Sequence, residues 1–328
     1  MTELKEMETL FKVIDDTANI LRNKLNCTYL EAVSETGENL FEKAILQEEV
    51  DDVTKKRVEK EYERVDIEKL SKESIRKAFQ LAVLKGMKEA TQPNHEMTPD
   101  AVSIFVGYFV QKLMEKKDEF SILDPAVGTG NLLTAILNGN SKKVRAYGSD
   151  VDELLVKLSY VNANLQHHEM EFFNQDSLQP LFVDPVDVVT VDLPVGYYPN
   201  DEGASNYRLR AEEGHSYAHY LFIEQSFRYL KEGGYLIALV PNNIFSGDEA
   251  KKLHAFIKEE GFIQGLLQLP LTMFKKEQHA KSIFIVQKKG ATAVPPSQAL
   301  LVDLPSFSNK EAMSDIMSQI NEWFTAKQ

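Results

Sequence analysis

The feature that most constrains this chain is a change of hydrophobic period near residue 92. From Thr2 to about Glu89 there is no proline, and apolar residues recur every three or four positions, as in Leu10, Val13, Ile14 and Ala18. That spacing predicts amphipathic helices. A mixed-sign charge run from Glu48 to Asp66 fits the solvated face of one of them. The stretch 69–89, with Leu70, Ile75, Ala78, Phe79, Val83 and Leu84, fits another. Gln92-Pro93-Asn94 breaks the pattern, and Thr98-Pro99-Asp100 opens a helix expected over 99 to about 116. Short apolar runs then alternate with helical stretches. SILDPAV precedes a helix at 130–138 and VRAYGSD one at 152–165; MEFFNQD and VDVVTVDLP follow. Next come a helix at 218–230, YLIALVP, a helix at 247–260, GLLQLP and SIFIVQKK. Strands alternating with helices predict an α/β fold, a doubly wound and mostly parallel sheet. The expected division is an N-terminal helical domain over 1–92 and an α/β domain over 93–328. The latter ends in a short extension, a strand at Ala299–Val302 and a helix at Lys310–Phe324.

Composition excludes more than it assigns. An apolar fraction of 43% and a charged fraction of 27% are those of a chain able to bury a core. No run approaches the roughly 18 apolar residues of a membrane helix, and the amino terminus carries acids where a signal peptide carries bases, so a cytoplasmic protein with no membrane partner is expected. Cys27 is the only cysteine, which rules out an internal disulfide, a CxxC couple and a cysteine-based zinc cluster. The histidines show no metal-ligand spacing, and no metal is expected. The net charge of −13 works against a broad basic surface for a phosphate backbone.

In doubly wound sheets ligands bind at the carboxyl ends of the strands. The first such end reads Asp124-Pro125-Ala126-Val127-Gly128-Thr129-Gly130-Asn131. Its glycines allow a sharp turn and a close backbone approach, and Asp124 adds a carboxylate. The stretch is neither a GxGxxG nor a phosphate-binding Walker loop, because no glycine stands at 133 and no lysine follows. The second strand ends in Asp150, about 20 residues past the glycines, where a carboxylate can accept both ribose hydroxyls of a nucleoside. The third ends in Gln175-Asp176-Ser177, where Asp176 can accept from an adenine amino group.

With these residues in hand, the stretch from about Glu96 to Lys289 resembles the class I S-adenosylmethionine-dependent methyltransferases. Within them it is most similar to the N6-adenine DNA methyltransferases and the type I restriction-modification methylase subunits. Thr98-Pro99 resembles the family's leading motif at the methionine end of the cofactor, and DPAVGTGNLL its glycine loop. LVPNNIFSGDEAKKLHAFIKEEGFI and LPLTMFKKEQHAKSIFIVQKK resemble its closing strands. The resemblance implies a seven-stranded sheet with one antiparallel strand near the edge, Ser282 to Lys288. It also implies S-adenosylmethionine as cofactor, held by Thr98, Asp124, Ala126, Gly128, Gly130, Asn131, Asp150, Val151, Asp176 and Ser177.

At the fourth strand end the family has Asn or Asp, Pro, Pro and an aromatic; this chain has Asp192-Leu193-Pro194-Val195. The implied catalytic residues are Asp192, Leu193 and Pro194. The Asp192 side chain and the Leu193 carbonyl would take the two N–H groups of an exocyclic amine. Val195 stands where the aromatic stacks on the target base, and Tyr197 and Tyr198 are the nearby rings that could cover the same acceptor pocket. The polar segment 199–214, with Tyr207, Arg208 and Arg210, reads as a lid or substrate loop. N-methylation of adenine in DNA or a related nucleic acid is the first reading. Methylation of a protein or small molecule, or cofactor binding without catalysis, are the alternatives. The N-terminal helices offer a surface for a protein partner.

Overall fold

The computed structural model describes residues 3–89, 97–247, 249–291 and 293–327. The expected domain boundary at Gln92–His95 lies outside the described residues. In chain order, α1 (Glu3–Leu25), α2 (Tyr29–Glu42), α3 (Asp52–Tyr62) and α4 (Lys72–Glu89) come first. Then α5 (Asp100–Leu113) leads to β1 (Glu119–Asp124), α6 (Asn131–Asn138), β2 (Lys143–Asp150), α7 (Glu153–Leu165), β3 (Met170–Asn174) and β4 (Val186–Asp192). Short α8 (Asp201–Ala204) and α9 (Ala218–Arg228) precede β5 (Leu230–Pro241), α10 (Ala250–Glu260), β6 (Gly261–Gln268), β7 (Lys281–Lys288), β8 (Leu300–Asp303) and α11 (Lys310–Lys327). Among the described residues no helix is long and apolar enough to cross a membrane.

These elements form two compact units. The first comprises Met1–Gly107, Val127–Ser141 and Asp150–Asn174; the second comprises Tyr108–Ala126, Lys142–Ser149 and Gln175–Gln328. In the first unit, the apolar faces predicted from the 3.6-residue period converge. Leu10, Ile14, Ala18 and Leu21 of α1 share a core with Val33 and Leu40 of α2, Val58 of α3, and Ile75, Phe79 and Val83 of α4. Leu155, Leu158, Val161 and Leu165 of α7 complete it. A capping box starts α2: the Glu31 amide donates to the Thr28 hydroxyl at 3.2 Å and the Thr28 amide to the Glu31 carboxylate at 2.6 Å. Of α3 only Thr54 and Val58 are buried, as expected for a solvated helix.

Among the described residues, the second unit holds seven of the eight strands, in the order β2-β1-β4-β5-β7-β6-β8, and β3 belongs to the first unit. The pairs β1–β2, β1–β4, β4–β5 and β6–β8 are parallel, and β7 runs antiparallel to both β5 and β6. The reversed strand is therefore the one anticipated at Ser282 to Lys288. The strand beyond the expected seven is β8, from the C-terminal extension. From Val186 to Val191, β4 is buried throughout, as a strand covered on both faces must be. The one acid inside that buried run, Asp187, accepts hydrogen bonds from Lys117, Lys231 and Ser121. Burial pushes that carboxyl up, and these donors outweigh it and hold it well below the usual range.

The segment 199–214 is better fixed than a lid. Tyr207 and Leu209 are buried, the Tyr207 hydroxyl donates to the Leu178 carbonyl at 2.6 Å, and the Leu209 amide donates to Glu224 at 2.9 Å. Arg208 pairs with Glu259 and Glu260 of α10 at 2.5 and 2.9 Å. Apolar residues at alternate positions, which a count of polar residues hides, tie the segment to the helices beneath it.

The contact of α2 with α7 depends on Gly37, where a Cβ would come within 2.3 Å of Val161 Cγ1. Overpacking of this kind costs about 1–3 kcal/mol. Gly37→Val should lower stability by that amount in urea titrations, and an unchanged midpoint would show that the helices can separate freely.

Candidate functional site

In the first unit the glycine loop and the Asp150 turn meet. Gly128 and Gly130 have φ of +54° and +73°, a region that L side chains rarely adopt. At Gly130 a Cβ would also approach Ser159 Cβ to 3.0 Å, so the loop lies directly on α7. At Gly128 a Cβ would meet nothing within 4 Å, so one face of the loop is open. The Gly128 amide donates to Asp150 Oδ2 at 2.9 Å and the Asp152 amide to Asp150 Oδ1 at 3.0 Å. Asn174 Nδ2 donates to the carbonyls of Asp150 and Val151 at 3.2 and 3.1 Å. The carboxylate is thus oriented by backbone donors, and Val151 is exposed beside it. Asn131 is buried at the start of α6 and donates to the carbonyl of Thr98 at 3.3 Å. Thr98, Gly128, Gly130, Asn131, Asp150 and Val151 therefore lie in one unit. The loop and acid fit a nucleoside ligand: a directed carboxylate suits a ribose diol, and an open glycine admits close approach.

The remaining expected residues lie in the second unit. Asp124 is buried and accepts from the Ala126 amide at 3.0 Å, which fixes the start of the glycine loop. Asp176 accepts from the Leu178 amide at 3.0 Å and from the Tyr198 hydroxyl at 2.5 Å. Ser177 is buried and donates to the Ser149 hydroxyl at 2.9 Å. Tyr198 differs in place from its neighbour Tyr197. It is buried, hydrogen-bonded to Asp176, and its ring offers no open face; burial and the Asp176 carboxylate both raise its hydroxyl above the ordinary range.

Asp192 ends β4, and Oδ1 accepts from the Lys281 ammonium at 2.5 Å. The Leu193 amide donates to the Leu239 carbonyl at 3.2 Å, while Pro194 and Val195 stand exposed. Beyond them Gly196, with φ of +144°, turns the chain back so that Tyr197 bridges Tyr217. The two rings stack with centroids 4.6 Å apart and planes 23° apart, and Tyr197 is 61% exposed. Behind Tyr217 lie His219 and Tyr220, at 5.3 and 6.4 Å between centroids. His219 is buried and its Nδ1 has no hydrogen-bond partner among the described residues. Sequence reasoning missed Lys281 and Tyr217, whereas His219 is the packing residue that its lack of metal-ligand spacing predicts. Only Lys281 left a trace, as a cation opening an otherwise apolar strand.

Two family models match the chain. Residues 8–87 match the YtxK N-terminal helical domain, and residues 87–326 match the N-6 DNA methylase. The chain is 49% identical over 317 residues to YtxK of Bacillus subtilis (strain 168), a protein described as uncharacterized, with 96% of each chain covered. A crystal structure from Listeria monocytogenes, provisionally described as a class I S-adenosylmethionine-dependent methyltransferase, matches with a TM-score of 0.91 at 48% identity, covering 98% of this chain and 99% of that one. The type I restriction-modification methyltransferase subunit of Streptococcus thermophilus, at 15% identity and a TM-score of 0.66 over 93% of this chain and 73% of its own, shares the fold.

Burial lowers the His219 imidazole to about 4, so the ring is neutral in the folded chain. An unfolded histidine takes up its proton near pH 6.5, so this depressed group contributes stability above that pH and loses it as the pH falls toward 4. Between pH 7 and 5 the loss should be about 2 kcal/mol, at roughly 1.4 kcal/mol per unit. His219→Gln should flatten that part of the denaturation profile, and a profile of unchanged slope would place the acid sensitivity elsewhere.

Proposed function

Because the chain belongs to the N-6 DNA methylase family and has the class I methyltransferase fold, we propose that it methylates an exocyclic amine of adenine in DNA or a related nucleic acid, with S-adenosylmethionine as donor. The observation that carries this reading is Asp192 at the end of β4, followed by Leu193-Pro194 and the exposed Tyr197 ring. When bound, the cofactor supplies an electrophilic methyl group. Asp150, oriented by the Gly128 and Asp152 amides, accepts the ribose hydroxyls. Asp192 accepts one N–H of the acceptor amine and the Leu193 carbonyl the other, which turns the nitrogen lone pair away from the ring. Lys281 holds the Asp192 carboxylate in place. Tyr197, backed by Tyr217, takes the part of the aromatic that Val195 cannot play; base stacking on such a ring is worth about 1–3 kcal/mol.

Two observations favour a second reading, a protein or small-molecule acceptor. Val195 is 60% exposed where the family has an aromatic, and the net charge is −13. Val195 equally suits a third reading, a cofactor-binding regulator without catalysis that meets a protein partner through α1–α4. In each case the proposed setting is the cytoplasm.

Transfer of labelled methyl groups from S-adenosylmethionine to DNA, RNA and whole cell lysate separates the three. Label in DNA or RNA supports adenine, label only in the protein or small molecules of the lysate supports the second reading, and none anywhere supports the third. Asp150→Ala should weaken cofactor binding by about 1.5–3 kcal/mol, the cost of losing a charge-assisted partner. Asp192→Ala should leave cofactor affinity nearly intact while turnover collapses, the pattern of an interaction made mainly in the transition state. Calorimetry showing unchanged affinity for Asp150→Ala, or full turnover with Asp192→Ala, would remove those two assignments.

A further inference from the structure

Arg76 on α4 has a side chain with no solvent exposure. Its Nε and Nη2 donate to the two oxygens of Glu73 at 2.8 and 2.6 Å, and Nη2 also donates to Asp100 Oδ1. Its Nη1 donates to Asn131 Oδ1 at 2.8 Å. Both distant partners belong to the segments expected to serve the cofactor. Asn131 closes the glycine loop and passes the connection on through its Nδ2 to the Thr98 carbonyl. Asp100 follows Thr98-Pro99 and opens α5. One guanidinium therefore joins an N-terminal helix to the two chain segments on either side of β1.

Packing alone does not explain an arginine here. Burying a cation costs several kcal/mol before its partners compensate, and an apolar side chain of similar volume often serves a core as well or better. Its carboxylate partners, Glu73 and Asp100, are themselves about one-third exposed. What an apolar residue could not supply is direction. The planar fork fixes several acceptors at set angles, and a lysine in its place would offer one point charge. A second connection runs in parallel: the Asp150 turn leads into α7, which is packed in the N-terminal core and tied to α2 by Lys157 with Glu35 and Glu38 at 2.6 and 3.4 Å.

We infer that Arg76 is a positioning residue for S-adenosylmethionine: acting through Asn131 and Asp100, it holds the glycine loop in its binding shape and couples cofactor affinity to the N-terminal helices. The inference rests on the cofactor assignment proposed above. Coupling of this kind is reciprocal, so whatever displaces α4 weakens cofactor binding, and bound cofactor resists that displacement by the same factor.

The test measures S-adenosylmethionine affinity by calorimetry, and melting with and without cofactor, in the full chain and in Arg76→Gln, Arg76→Lys, Asn131→Ala and Val58→Ala. Val58 lies in the same core on α3, and its truncation lowers stability without touching the loop. Arg76→Gln should weaken binding tenfold or more and shrink the cofactor-induced melting shift. Arg76→Lys should fall between, and Val58→Ala should bind as wild type does. The double variant Arg76→Gln with Asn131→Ala should be no weaker than the worse single variant. If Arg76→Gln does not fold, Arg76→Lys and Asp100→Asn probe the same coupling. Wild-type affinity in folded Arg76 variants, or equal weakening by Val58→Ala, overturns the positioning role. A wild-type chain that binds no S-adenosylmethionine overturns the cofactor assignment instead.

Discussion

Strand direction is the constraint on which the second unit depends. Parallel strands place their carboxyl ends along one edge, so Asp124 of β1 and Asp192 of β4 open on the same side of the sheet. The antiparallel β7 reverses this rule, bringing its first residue, not its last, to that edge. Lys281 pairs in register with Pro241 at the end of β5, and from there its ammonium reaches Asp192. Had β7 run parallel, the same edge would carry Lys288. The ion pair at the candidate catalytic acid is thus a product of topology.

In the first unit the corresponding constraint is the burial of α7. Its apolar residues lie in the core of the N-terminal helices, while its other side receives the glycine loop at the Gly130–Ser159 approach. A helix held on two sides cannot shift without disturbing one of them, because packed interiors tolerate little change of volume. Asp150 and Asp152, just before this helix, inherit that rigidity. The two amides on the Asp150 carboxylate direct a side chain whose backbone is already fixed.

The proposed acceptor side is built differently. Val195 and Tyr197 are exposed, and the turn that carries them is secured by backbone hydrogen bonds: Ala218 N–H to the Gly196 carbonyl at 2.8 Å and Tyr198 N–H to the Ser216 carbonyl at 2.8 Å. The aromatic face here comes from Tyr197 stacked on Tyr217, twenty positions later in the chain. A surface held by main-chain bonds tolerates exchange of its side chains, so a changed residue at 195 leaves the turn intact.

Sequence alone determined the elements and their class. Period 3.6 before residue 89, strand–helix alternation after residue 97, and acids at strand ends depend on neighbours a few positions away, and the family resemblance added the reversed strand. The Asp124, Asp150 and Asp192 positions were legible for the same reason, since an acid that closes an apolar run beside a glycine or proline is a local pattern. The contacts of Arg76 with Asn131, of Lys281 with Asp192 and of Tyr197 with Tyr217 span 55, 89 and 20 positions and follow no local period. Nor does the local pattern reveal that Tyr198 turns inward to Asp176 while Tyr197 faces out. Those choices belong to tertiary structure, because they are made by directional hydrogen bonds and by packing, whose partners are known only once the chain has folded.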